Sequence, residues 1–473
     1  MTILRQLAEF AATTDVDQLP AEVVAESKRV LLDSVGCALG GVHEPKGQIG
    51  ISYGQVIGGS SGDATILGTP HRSSIAGAAF ANGELINALD FDAVLPPGHV
   101  APYVIPGALA LAEATGASGK ELIAALAVAH EISFRFGRSM DWTRDIRDGE
   151  VSVAGVLGYT STVFGAAAAV ARLRGASTEV MANALAIAGS ISPVNSHRAW
   201  MTHAPASTIK YTMAGPLAQA ALAAAYTAEL GHRGDQQVLD DPEFGYPRFI
   251  GTTRWVPENL TAGLGETWGF PAYNSYKPYP HCRILHAVLD ALTDLVETHD
   301  IVPAEIEAIR VQGEGWVMLP VWLTRDIAHV QDGQFSIAHG VAVGAHRIQP
   351  GPAWQDPDLV FSPSVLDLMA KVSYEPHPDW VTAISRDPAA RPSRVEVVAR
   401  GTSFIAERNF PRGSPSKDPT TTLTDQELVE KFLVNAAAVL PRGQAVELAD
   451  RLLAMEAETD VSTLVRGTVP QRP

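Results

Sequence analysis

The chain has 473 residues, 46% hydrophobic and 18% charged, with a formal net charge of −17 and only two cysteines. That length predicts two or three domains, and the composition is that of an ordered globular protein. The acidity argues against nucleic acid and anionic membrane as partners, Cys37 and Cys282 in unlike contexts argue against a disulfide framework, and no apolar run is long enough to span a membrane.

The N-terminal stretch from Met1 to Phe10 carries charge early and has no apolar core with a cleavage site, so the expected location is cytoplasmic. From about residue 20 to 240 the chain is a series of Ala-rich amphipathic runs. Pro20 stands near the start of one, with Val23, Val24, Val30 and Leu31 at helical spacing. Helices are predicted over Ile105 to Glu113 and Glu121 to Ile132, with Ser118 and Glu121 forming a capping box between them. Two more are predicted over Phe164 to Leu173 and Val180 to Ala188, broken at Gly175 to Thr178. After Gly263 the pattern changes. Ile306 to Gly313 alternates as a strand, Arg394 to Arg400 and Phe404 to Glu407 read as a hairpin about Gly401, and a helix is expected over Val365 to Val372. Pro411 to Pro419 reads as a linker, and Thr424 with Glu427 opens a last helical stretch. The expected fold is mainly α. Residues 1–267 form a large helical domain, 268–420 a smaller α+β lid domain, and 421–473 are C-terminal helices returning to the first domain.

Several familiar motifs carry nothing here. Gly58 to Gly62 matches G-x-S-x-G but reads as a flexible Gly/Ser loop without a preceding buried strand. Gly263 and Gly265 lack the third glycine of a dinucleotide fingerprint, and the fourteen histidines and two cysteines show no zinc spacing. His130 and Glu131 on an apolar helix read as a satisfied buried pair.

Three other segments gather ionisable residues beside glycine and proline. The first runs from Asn87 through Asp90, Asp92 and His99; the second from Met201 through His203 and Lys210 to Gly215; the third from Tyr276 through Lys277, His281, Cys282 and Arg283 to His286. In an acidic chain, two lysines, an arginine, histidines and aspartates at helix edges suit proton abstraction next to a carboxylate. Fixed cations meet the charge that develops, and a base takes the proton.

These segments resemble the MmgE/PrpD family, which includes 2-methylcitrate dehydratase, cis-aconitate decarboxylase and iminodisuccinate epimerase. The resemblance runs almost end to end, through Leu31 to Gly41, Ala79 to Asp92, Lys210 with Gly215, Lys277 to His286, and Gln334 to Ala342. It implies a helical domain with an α+β lid, a homodimer, no metal and no organic cofactor, and a small polycarboxylate substrate bound between the domains. It also implies that Asp90, His99, Lys210 and Lys277 are catalytic, and that Tyr159, His281, Cys282, Arg283 and His286 contact substrate, with Cys282 where some members have a histidine. The chain departs from the family in two places. Val151 to Ala166 holds no histidine where one is usual, leaving Tyr159 as the nearest polar aromatic group, and Ala93 follows Asp92 where a third acid is common. The expectation placed first is a dehydratase-like lyase; decarboxylation, epimerisation and a catalytically silent binding homologue are the alternatives.

Overall fold

Apolar residues at helical spacing dominate the first half of the chain, and the computed structural model folds that half into helices. It describes residues 1–140, 145–147, 150–152, 155–156, 158–194, 197–210 and 213–471. The main helices there are α1 (Ile3–Thr13), α2 (Ala21–Gly40), α3 (Pro45–Gly58), α4 (Ile75–Asn87), α5 (Ala101–Thr115), α6 (Gly119–Ser139), α7 (Thr162–Leu173), α8 (Thr178–Ser190) and α9 (Ala214–Glu229). Ser118 and Glu121 cap α6 reciprocally, and Ser177 caps α8 by accepting from the Val180 amide. Small residues set how closely the helices approach. A Cβ at Gly50 of α3 would sit 2.6 Å from the Glu84 Cβ on α4, and one at Gly54 would sit 2.6 Å from the Gly77 carbonyl oxygen. That close packing carries the start of α3 to the end of α4, where the first ionisable segment begins.

The second half adds a sheet. After the short hairpin β1 (Val94–Leu95) and β2 (Gly98–His99), the longer strands are β3 (Ile306–Gly313), β4 (Val372–Pro376), β5 (Ser393–Ala399) and β6 (Thr402–Arg408). They form one sheet in the order β6-β5-β3-β4, in which β3 and β4 are parallel and the other pairs antiparallel. A parallel pair requires a crossover, and residues 314–371 supply it, including α11 (Ile337–Ala345). Ser393, Val395, Val397 and Ala399 alternate inward on the sheet, which packs on α10 (His286–Thr298). The helix expected over Val365 to Val372 is a correction. It spans Pro363–Met369, and Val372 instead opens β4 opposite Ile309, where its β-branched side chain is buried in the sheet.

Two C-terminal helices, α12 (Asp425–Ala436) and α13 (Arg442–Leu453), pack against α2, and Thr424 with Glu427 forms the predicted capping box. Helix dominates and the sheet is small, so the fold is mainly α. Among the described residues, no helix is long and apolar enough to cross a membrane.

Candidate active site

The chain leaves α4 at Asn87 and reverses at Asp90, which takes the left-handed conformation at φ 53°. The β1–β2 hairpin then returns His99 beside it, with Val94 opposite His99. Reciprocal 2.8 Å bonds between the backbones of Val94 and Ser275 fasten this hairpin to the segment that carries Lys277. From behind, Lys431 of α12 donates to Asp33 of α2 at 2.6 Å and to the Phe91 carbonyl at 2.7 Å, while Asp33 accepts from the Ala93 amide at 3.1 Å. The Asp90–Ala93 turn is therefore braced on both sides.

Asp90 is the centre of a charge cluster. Lys277 Nζ lies 2.7 Å from both the Asp90 carbonyl oxygen and its Oδ2, and Lys210 Nζ lies 3.3 Å from Oδ1. His99 Nε2 is 3.6 Å from the same Oδ1, and His99 Nδ1 is 2.6 Å from Asp92 Oδ2. Lys210 also donates at 2.8 Å to Gln334 Oε1, whose amide nitrogen donates at 2.8 Å to the Ala88 carbonyl. Asp90 and Lys277 are 0% exposed, Lys210 1% and His99 3%. The four catalytic candidates from three separate segments thus meet in one closed site.

Burial by itself would raise the Asp90 carboxyl, but Lys210, Lys277 and His99 outweigh it and hold the group well below the carboxylate range. For Asp92 the same burial is overcome first by His99. Lys210 goes the other way. Desolvation pulls its ammonium from 10.5 down to about 8, although Asp90 opposes the change. A lysine in that range can exchange a proton near neutrality, whereas Asp90, ionised and gripped by two cations, is an electrostatic anchor rather than a base.

The remaining candidates differ in where they point. Tyr159 is buried, its ring centre 6.3 Å from that of His99, and a Cβ at Gly98 would fall 2.2 Å from the tyrosine ring. The Cys282 amide donates at 3.2 Å to the Gln334 carbonyl, and burial, then Asp90, push its thiol up, so it is protonated at neutral pH. His281 Nε2 faces the Ser336 carbonyl at 3.3 Å, and burial pulls this imidazole down to about 4, so it is neutral. His286 Nε2 faces the His281 carbonyl at 3.0 Å, with its ring edge-on to Tyr279. Arg283 is half-buried, and its charge is felt by His286 and Asp290. His281 and His286 are thus fastened through Nε2 to backbone near the site. In the second segment His203 is exposed, and Tyr211 and Thr212 lie outside the described residues, as do Val153, Ala154 and Leu157 of the stretch without histidine. Glu131 accepts from Arg135 at 2.7 Å and from the Gly269 and Phe270 amides.

Sequence reading left several participants off the site. Asp92, visible as a second carboxylate, is the direct partner of His99. Asp332 accepts from the Ala206 amide at 2.7 Å and from the Ala328 and His329 amides at 3.0 and 2.8 Å, clamping the Lys210 loop to the turn that bears Gln334. Lys46 is buried 3.5 Å from Glu84 and 2.7 Å from Asn87 Oδ1, and nothing in its Gly-rich surroundings announces it. Among the described residues, no group of three or more His, Cys, Asp or Glu side chains is placed to hold a metal ion.

Comparison with known proteins follows the same segments. The MmgE/PrpD N-terminal domain matches residues 5–257 and the MmgE/PrpD C-terminal domain matches residues 279–455. Cis-aconitate decarboxylase of Homo sapiens is 26% identical over 494 residues, covering 99% of this chain and 96% of the relative. The Mus musculus enzyme of that name is 26% identical over 475 residues, covering 95% and 90%. Cis-aconitate decarboxylase of Aspergillus terreus is 23% identical over 494 residues, covering 98% and 95%.

Proposed function

The chain belongs to the MmgE/PrpD family, and from that premise we propose that it is a lyase acting on a small polycarboxylate, with decarboxylation of a cis-aconitate-like acid as the first reading. The observation that carries it is the buried Lys210–Asp90–Lys277 cluster with His99 at its edge. Two ammonium groups already oriented on one carboxylate offer the field that a substrate carboxylate and a developing carbanion need. The bond from carbon to the departing carboxylate breaks, and CO2 leaves. The electron pair spreads through the neighbouring double bond toward a second carboxylate, and one proton, delivered from Nε2 of the His99 imidazolium, which is left as the neutral Nδ1–H ring, closes the new C–H bond. That sequence uses a single proton donor.

The sequence expectation placed dehydration first. The order is reversed here because decarboxylation manages with one acid/base group where the usual family histidine is missing, and because the full-length relatives bear the decarboxylase name. Dehydration remains the second reading on one observation. Lys210 at about 8 puts a second proton-exchanging group beside His99, able to protonate a leaving hydroxyl.

Residues 268–420 are read as a lid over residues 1–267, because Lys277 and Gln334 come from one part and Asp90, His99 and Lys210 from the other. With the cluster so fully buried, substrate enters by parting them. A homodimer, implied by the family resemblance, and a cytoplasmic location belong to this same reading. The test is incubation with methylcitrate, citrate, cis-aconitate and iminodisuccinate in deuterated water, followed by proton NMR with CO2 trapping. CO2 release with one deuterium gained at carbon is expected. Loss of water, or exchange with no carbon lost, sinks the decarboxylase reading, and silence on every acid favours the silent homologue.

A further inference from the structure

Behind His99 a single file of buried polar groups leads away from the reacting side of the ring. Lys46 Nζ donates at 2.7 Å to Asn87 Oδ1, Asn87 Nδ2 donates at 3.1 Å to Asp92 Oδ1, and Asp92 Oδ2 lies 2.6 Å from His99 Nδ1. Lys46, Asn87 and Asp92 are all buried. The far end is closed as well: Glu84 puts Oε2 3.5 Å from Lys46 and takes the Gly215 amide at 3.0 Å with Oε1.

The polarity of each link dictates the next. An ammonium has donors only, so Asn87 must turn its carbonyl oxygen toward Lys46. Its NH2 is then the group left for Asp92. Asp92, held ionised, has acceptors only, so the imidazole must carry a hydrogen on Nδ1 to meet it. Were Lys46 absent, the Asn87 oxygen would lose its partner, and the amide would hold Asp92 in place less firmly. The amide cannot pass a proton along, so the file is not a proton wire. It transmits orientation.

We propose that Lys46, Asn87 and Asp92 form a tautomer lock, three positioning residues that hold His99 as the Nδ1–H form and confine its proton exchange to Nε2, the nitrogen that faces Asp90. The catalytic consequence rests on the reading of His99 as the acid/base group; the lock itself does not. Carboxylates that orient a catalytic imidazole act in this way in Ser-His-Asp hydrolases, where the amide variant presents the wrong tautomer.

The measurement is ¹⁵N–¹H NMR of the full chain labelled at histidine, with the His99 signals assigned by their loss in His99→Gln. In the wild type the neutral ring should show a protonated Nδ1 and an unprotonated Nε2. In Asp92→Asn the new amide can donate to Nδ1, and the ring should switch to Nε2–H. Lys46→Met leaves Asp92 ionised and should keep the Nδ1–H form while quickening exchange of that proton with solvent, and Lys46→Arg should restore the slow exchange. Where turnover is measurable, Asp92→Asn should lower kcat by about 10⁴-fold, with KM little moved. Lys46→Met should lower it by about 10–100-fold. A wild-type ring protonated on Nε2 when neutral overturns the proposal without any variant needing to fold. So does an unchanged Nδ1–H ring in Asp92→Asn, or proton exchange in Lys46→Met as slow as in the wild type. The spectra require no substrate, so a locked ring in a protein silent on every polycarboxylate would refute the proposed function and leave the lock standing.

Discussion

Replacing Lys210 by methionine should change how stability depends on pH, in a direction fixed by the site. Burial brings the ammonium from 10.5 down to about 8 in the folded chain. Between those values the unfolded chain binds a proton that the folded chain has released, so stability rises with pH, by up to about 1.4 kcal/mol per pH unit. Below the folded value both states are protonated and the slope vanishes. Summed from about pH 7.5 to about pH 9.5, the wild type should gain about 2 kcal/mol over Lys210→Met. Other groups titrate nearby. Tyr276, Tyr279 and Tyr374, all pushed up by burial, stay protonated in the fold when the unfolded chain ionises, so they lower stability at high pH in both proteins. Taking the difference between the proteins removes them. Glu44, pushed up to about 8 by burial and held back by Lys210, rises further in the variant and adds to the difference with the same sign. Urea denaturation at a series of pH values, followed by tryptophan fluorescence, gives both curves. Parallel curves, or a variant that gains on the wild type as pH rises, would refute a desolvated Lys210.

Lys277→Met leaves Asp90 without its nearest cation and should destabilise the fold by about 3–5 kcal/mol, read by urea denaturation, with kcat down about 10²–10³-fold. Asp332→Ala strips three amides of one acceptor; stability should fall by about 2–3 kcal/mol, and hydrogen exchange should quicken at Ala206, Ala328 and His329. Gly98→Ala puts a Cβ where the buried Tyr159 ring lies, at a φ of 155° that a side chain rarely adopts, so that ring must shift; kcat should drop about 10²-fold and the melting temperature should fall with it. Lys431→Met abandons Asp33 as a buried charge behind the Asp90 turn and should cost about 3 kcal/mol by the same denaturation assay.

Asp90, His99, Lys210 and Lys277 were legible because they are chemically out of place: cations and acids crowded among prolines and glycines in a chain whose excess charge is negative. Their convergence needed the fold, since 187 residues separate Asp90 from Lys277. Lys46 and Asp332 were illegible for a different reason. Each is one polar residue in a short run, and periodicity reports a buried face without saying what a polar member of that face touches. His281 and His286 owe their orientation to a local turn. Closeness along the chain groups them with Lys277, yet the turn at Arg283–Leu285 directs each Nε2 to a backbone carbonyl. The strand at Val372 was lost to a helix-like apolar spacing that tertiary pairing overrode.

The backbone at Asp90 has an implication for how the chain has been kept. A left-handed turn at φ 53° suits glycine, and a residue with a side chain there gives up about 1 kcal/mol. Two lysines sealed from water on top of it, one of them already reluctant to stay charged, add to that burden. A protein released from chemistry could drift to glycine at this position and to apolar residues at 210 and 277, becoming sturdier with each step. This chain has taken none of those steps. Its least comfortable residues stand together around one buried carboxylate, an arrangement that the proposed lyase chemistry would explain and that packing alone would not.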